Sequence, residues 1–318
     1  MEENQVHSRM EKRYQQQKKR FPKLRFILLI ILLLFIATGA YAVHQYREGL
    51  KLAGNGEKKE MDFISDEETG DIINYLIIGV DSRGEEKSRS DTMMILSWNK
   101  KTNELKLVSF MRDIYAEIPG YDHWKLNTAY YLGGVQLLKE TLNQMFDIPI
   151  HHYAVLDFKS FESLIDILAP DGVEIEVEKD MSAYIGVTLT KGVHRLNGKE
   201  LLGYARFRHD AQGDFGRVER QQKVIEALKD ELMQPKNLKN MPKLIGAAQG
   251  YILTDMTTGE ELKTVLSVAK GGVPDIEKMT IPVEGTYWFN SYQHAGSVIE
   301  IDLETNRQKL HEFLGMEE

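Results

Sequence analysis

FILLIILLLFIATGAYAV, Phe26 to Val43, is eighteen consecutive residues without a charge. A helix needs about 20 apolar residues to cross a bilayer, with a range of about 17 to 25. This run therefore fixes one membrane span (26–43) before any other element is considered. Residues 1–25 hold eight Lys/Arg against three Glu. By the positive-inside rule that basic tail stays cytoplasmic and residues 44–318 lie outside the cell membrane, a single-pass type II arrangement with an uncleaved signal-anchor. Ala40-Tyr41-Ala42 also matches the A-x-A pattern of a cleaved signal peptide; the length of the apolar run and of the tail favours the anchor. Lysines beside anionic lipid explain the tail without invoking DNA.

Beyond the tail, 32 basic residues face 45 acidic ones, a formal −13. So acidic a domain excludes nucleic acid as a partner. The chain has no cysteine, which removes disulfides, thiolate nucleophiles and cysteine-ligated metals together. No GxxxxGK[ST], G-x-S-x-G or HExxH occurs, so P-loop hydrolysis, serine-esterase chemistry and zincin chemistry have no motif behind them. The histidines, His151-His152 and His209 among them, read as structural.

Residues 44–72 are polar and Glu/Lys-rich and read as an extracellular stalk with a frayed helical start. Residues 73–318 read as one α/β domain. INYLIIGV, TMMILSWN and ELKLVSFM are strand candidates separated by turn residues. GVQLLKETLNQMF puts Val135, Leu138, Leu142 and Met145 on one helical face. HYAVLDF predicts a strand, FKSFESLIDILA a helix, and GVEIEVEKD a half-buried strand. FGRVERQQKVIEALKDELM predicts a long helix that ends at Pro235. Residues 236–318 predict two shorter helices and one or two strands.

Four clusters carry candidate chemistry. In GVDSRGEEKSRSDTMM, Asp81 ends one strand and Asp91 opens the next, so strand pairing brings two carboxylates together. Such a pair suits a hard cation, and equally suits turn hydrogen bonds. Arg112 ends a strand candidate, where it and Asp113 can equally form local ion pairs, and Lys125 and Asn127 precede a helix that Asn127 or Thr128 can cap. In YARFR, Arg206 and Arg208 share a face if the segment is extended. Asp214, Arg217 and Gln221 form one helical stripe, and Arg220 lies off it, toward solvent. Forked guanidinium donors suit a pyrophosphate or phosphodiester, though a surface ion-pair network has the same spacing. The apolar stretch from Leu156 to Leu168 reads as core or as one wall of a lipid groove.

GVDSRGEEKSRSDTMMI, SFMRDIYAEIPG, KLNTAYYLGG, HYAVLDFKSFESLIDILAPDGVEIEV, LNGKELLGYARFRHD and GDFGRVERQQ, in that order, resemble the LytR–CpsA–Psr family of bacterial cell-wall enzymes, and within it the teichoic acid transferases. The resemblance covers residues 73–235 and the anchor. It implies a central mixed sheet flanked by helices, an apolar pocket for a polyprenyl chain and an arginine-lined pyrophosphate site with Mg²⁺ (or Mn²⁺). It implies transfer of a phosphorylated glycopolymer, such as wall teichoic acid, from a polyprenyl-pyrophosphate carrier to a peptidoglycan hydroxyl. Mapped by motif, Asp81 and Asp91 would hold the metal; Arg112, Arg206, Arg208, Arg217 and Gln221 would bind pyrophosphate, with Lys125 a looser match and Arg83, Arg89 and Asp214 as neighbours. Asp91, Arg112 and Asp214 are the expected catalytic residues, and Asp91, Asp113, Asp214 or the metal-polarised site itself could take the acceptor's proton. A pyrophosphatase and a non-catalytic lipid-pyrophosphate binder are the alternatives.

Overall fold

A computed structural model describes residues 2–54, 61–81, 88–270, 272 and 274–316. Helix α1 runs Glu2–Leu52. There follow β1 Ile72–Val80, β2 Ser90–Asn99, β3 Leu105–Phe110, β4 Tyr115–Glu117, β5 His123–Lys125 and α2 Leu126–Phe146. Next come β6 His152–Asp157, α3 Phe158–Leu168, β7 Val173–Val177, β8 Gly192–Leu196, α4 Gly198–Arg206 and α5 Gly213–Met233. The chain closes with α6 Met241–Tyr251, β9 Ile252–Thr254, α7 Thr258–Lys270, β10 Ile276–Ile281, β11 Tyr287–Tyr292, β12 Gly296–Ile301 and α8 Leu303–Leu314. The C-terminal quarter thus holds four strands, more than its sequence predicted, and two of them, β9 and β10, form the two edges of the main sheet.

That sheet has six strands in the order β10-β3-β2-β1-β6-β9. It is mixed: β1 runs antiparallel to β2 and parallel to β6, and β10 runs parallel to β3. Leu76, Ile78, Met93 and Ile95 face one side and pack on Val135, Leu138 and Leu142 of α2 and Leu310 of α8. Each such side chain contributes ~1.5–3 kcal/mol on burial. The opposite side faces α3, α4, α5 and α6. Both faces of β1 and β2 are covered, which is why their sequences are near-continuous apolar runs rather than alternating ones.

The stretch 44–72 differs from its reading as a stalk. Helix α1 continues through Phe26–Leu52, a portion long and apolar enough to cross a membrane, and its last turns lie against α6. Glycines set the contact: a Cβ on Gly246 would sit 2.1 Å from the Tyr46 carbonyl oxygen, and one on Gly49 2.1 Å from that of Lys243. Without Cβ atoms the two backbones touch. Tyr46 donates its hydroxyl to Gln249, and Tyr251 donates to the Leu52 carbonyl at 2.8 Å. Further on, Asp66 accepts from Lys139 (2.5 Å), Asn143 (2.9 Å) and the Ile150 N–H (2.7 Å), fastening the chain to α2. Polar composition misled here because backbone contact and one half-buried acidic hub need no hydrophobic run. Gly246→Leu is expected to cost about 1–3 kcal/mol in overpacking. Hydrogen exchange should then show protection lost over 44–52 and retained in β1 and β2; protection kept over 44–52 would mean that the seam is not held by glycine contact.

Candidate functional site

Between the second face of the sheet and the helices lies a cavity of about 780 Å³. Its walls are Ile77 and Met94 from the sheet, Leu164 and Leu168 from α3, Ile225 and Leu228 from α5 and Leu244 and Ala248 from α6, among others. The run Leu156–Leu168 therefore serves both readings of its sequence. Ile165 and Leu168 belong to a buried cluster, and Leu156, Phe158, Phe161 and Leu164 also face the cavity. Asp81, Asp91, Arg112, Arg206, Arg208, Arg217 and Gln221 line the same cavity. An apolar channel with a charged end is the result.

Strand register delivers the carboxylates. Asp81 follows the last residue of β1, and Val80 pairs with Ser90 while Gly79 pairs with Thr92. Asp91 is the extra residue of a β-bulge. Regular pleating would point it the same way as Met93, into the core; the bulge turns it to the cavity. Arg112 follows β3 and sits among three carboxylates: Asp91 at 2.5 Å, Asp113 at 3.6 Å and Asp214 at 3.7 Å. Burial disfavours its charge, but Asp113, Asp214 and Asp91 more than offset that and hold it protonated. Burial likewise raises Asp113, yet the Lys125 ammonium, 3.0 Å away, and Arg112 pull it below the usual carboxylate range. Asp113 also meets the Asp214 carboxyl group.

Helices deliver the remaining cations. YARFR is not a strand: Tyr204, Ala205 and Arg206 end α4, Phe207 is its extended C-cap, and Arg208 follows. The missed signal was the capping box Asn197-x-x-Glu200, whose reciprocal hydrogen bonds start this helix. Arg206 and Arg208 reach the cavity from a helix end, not from one strand face. The Arg206 guanidinium lies over the Phe158 ring at 4.5 Å and 3.6 Å from Asp81. On α5, Arg217 pairs with Asp214 at 3.3 Å, and burial together with the Arg112 charge lowers its pKa. Arg220 is the second correction. Far from being solvated it is 2% exposed, donating to the Phe207 carbonyl (2.9 Å) and to Asp210 (3.2 Å). It clamps the loop that carries Arg208 because a buried guanidinium must find acceptors.

Arg83 lies outside the described residues. Arg89 stacks over Tyr131, 5.8 Å from the ring centroid, and does not line the cavity. Lys125 enters only through Asp113. Helix α2 begins at Leu126, and neither Asn127 nor Thr128 caps it. Two buried donors, Arg112 Nε and Arg217 Nε, have no hydrogen-bond partner. Unmet guanidinium N–H groups beside an apolar channel are what an anionic head group on an apolar tail would satisfy. Among the described residues no three His, Asp or Glu side chains cluster as a metal site. Mg²⁺ needs only one or two carboxylates with phosphate and water, and Asp81 and Asp91, hard oxygen donors on one cavity wall, fit that set.

The model of the LytR_cpsA_psr family matches residues 40–310. The Regulatory protein MsrR of Staphylococcus aureus is 43% identical over 276 residues, covering 86% of this chain and 84% of that protein. The Polyisoprenyl-teichoic acid–peptidoglycan teichoic acid transferase TagU of Bacillus subtilis is 29% identical, covering 93% of this chain and all of that one. Among solved structures, YwtF (TagT) of B. subtilis with bound octaprenyl pyrophosphate lipid has a TM-score of 0.58 at 25% identity, over 82% of this chain and 98% of that one.

Proposed function

The chain belongs to the LytR–CpsA–Psr family, and from that premise we propose that it is a membrane-anchored phosphotransferase with its domain outside the cell. Its donor is an anionic glycopolymer, wall teichoic acid or similar, on a polyprenyl-pyrophosphate lipid, and its acceptor is a peptidoglycan hydroxyl. The observation that carries this reading is the continuity of one apolar channel with a cluster of guanidinium groups. The polyprenyl chain occupies the channel, and Arg112, Arg206, Arg208, Arg217 and Gln221 bind the pyrophosphate.

In the reaction the acceptor oxygen bonds to the polymer-bearing phosphorus, the P–O–P bridge breaks, and polyprenyl phosphate leaves. The hydroxyl proton passes to a carboxylate of the Asp91, Asp113 and Asp214 group. Arginines fixed by these carboxylates need no reorganisation as charge develops on the leaving phosphate. Mg²⁺ (or Mn²⁺), when held by Asp81 and Asp91, would neutralise further phosphate charge. Because a 43% identical relative is called a regulatory protein, a non-catalytic lipid-pyrophosphate binder is the second reading. Full-length chain in micelles, given lipid-linked polymer and glycan acceptor, is expected to yield polymer covalently joined to glycan. Free polymer phosphate instead would identify a pyrophosphatase, and unchanged donor a binder.

A further inference from the structure

Strands β4 and β5 form a hairpin, and the hairpin of β11 and β12 stands beside it. Tyr115, Glu117, His123, Trp288, Tyr292 and Glu300 line a groove of about 400 Å³ between them. Tyr115 stacks on Tyr292 with centroids 4.6 Å apart, and His123 lies 5.3 Å from Tyr115. Trp288 is 50% exposed, yet its indole N–H is tied to Glu300 at 2.5 Å. The Glu300 carboxylate also accepts from Asn290 at 2.8 Å and from the Tyr292 hydroxyl. An exposed but immobilised aromatic face beside fixed acceptors suits a pyranose, whose C–H face stacks on rings while its edge hydroxyls and amides hydrogen-bond.

Position ties the groove to the chemistry. Tyr115 pairs directly with Lys125, so both side chains share one hairpin face, and Lys125 reaches Asp113 beside Arg112. The Ile299 N–H donates to the Asp113 carbonyl at 2.8 Å, fastening the β11–β12 hairpin to the same residue. Glu117 and Glu300 make the groove repel a polyphosphate, so the anionic donor polymer is the wrong occupant. We propose that this groove is the acceptor subsite and that it takes an uncharged sugar unit of a glycan strand. The assignment rests on the phosphotransferase reading for its direction, toward Arg112, but the binding it requires is independent of catalysis.

The test uses the full chain in detergent micelles with polymer-free glycan strands, and separately with octaprenyl pyrophosphate. Trp288→Ala is expected to weaken glycan binding at least about tenfold, Trp288→Phe to restore most of it, and neither to change lipid affinity. Unchanged glycan affinity in Trp288→Ala would overturn the subsite. So would an equal loss of lipid affinity, or sedimentation in which the variant abolishes self-association and glycan binds neither form. Glycan binding that follows this pattern without any transfer would sink the phosphotransferase reading and leave the subsite standing.

Discussion

Arg112→Ala is expected to lower the transfer rate by about 10²–10³-fold, the loss seen when one pre-aimed hydrogen-bond donor is removed from a transition state. Arg112 touches three carboxylates, two of them through an Nε that makes no hydrogen bond. Its removal both deprives the leaving phosphate of a cation and leaves Asp91, Asp113 and Asp214 repelling one another. Arg112→Lys keeps the charge but loses the fork, so it should recover folding and only part of the rate. Single-turnover transfer on donor-saturated protein separates chemistry from binding. A rate for Arg112→Ala within threefold of the parent would remove Arg112 from the reaction centre.

A tryptophan at Ala248 is expected to block the apolar end of the channel while leaving the charged end intact. Ala248 lines the cavity from α6, remote in sequence from every arginine of the site. Each buried methylene contributes ~0.8 kcal/mol, so excluding one five-carbon isoprenyl unit costs about 3–4 kcal/mol, more than a hundredfold in affinity. Affinity for a long polyprenyl pyrophosphate should collapse, and affinity for inorganic pyrophosphate should hold. Thermal stability should hold or rise, because the indole fills a void. Equal affinity of parent and variant for the long-chain lipid would place the chain elsewhere.

Much of this site was legible because its chemistry travels with local pattern. Asp81 and Asp91 could be read as neighbours from two apolar strands separated by a polar loop, although only the bulge explains why both face the cavity. Arg217 and Gln221 followed from helical spacing, and both line the cavity. Arg206 and Arg208 were placed together for the wrong reason: residues two apart suggested a strand, and a capping box seven residues upstream had already committed the segment to helix. Arg220 was misread because helical phase says which way a side chain leaves the axis, not what lies there; the loop 207–212 folds over it. Neither the Asp113–Lys125 pair nor the α1–α6 contact has a local signature. Each joins segments that only the tertiary fold brings together.

The glycine contact between α1 and α6 bears on how a channel of this kind would meet a membrane lipid, the donor proposed above. A flexible tether of 29 residues, the length of 44–72, would let its domain wander with an r.m.s. reach of about 30 Å. Most encounters between channel and bilayer would then be misaligned. Backbone contact between the anchor and the helix that forms one channel wall shrinks that search to rotation and lateral diffusion about a fixed axis. For the proposed lipid donor, the effective concentration at the channel would thereby be set by the architecture. Selection can then act on the stiffness of two helices as readily as on the arginines that line the cavity.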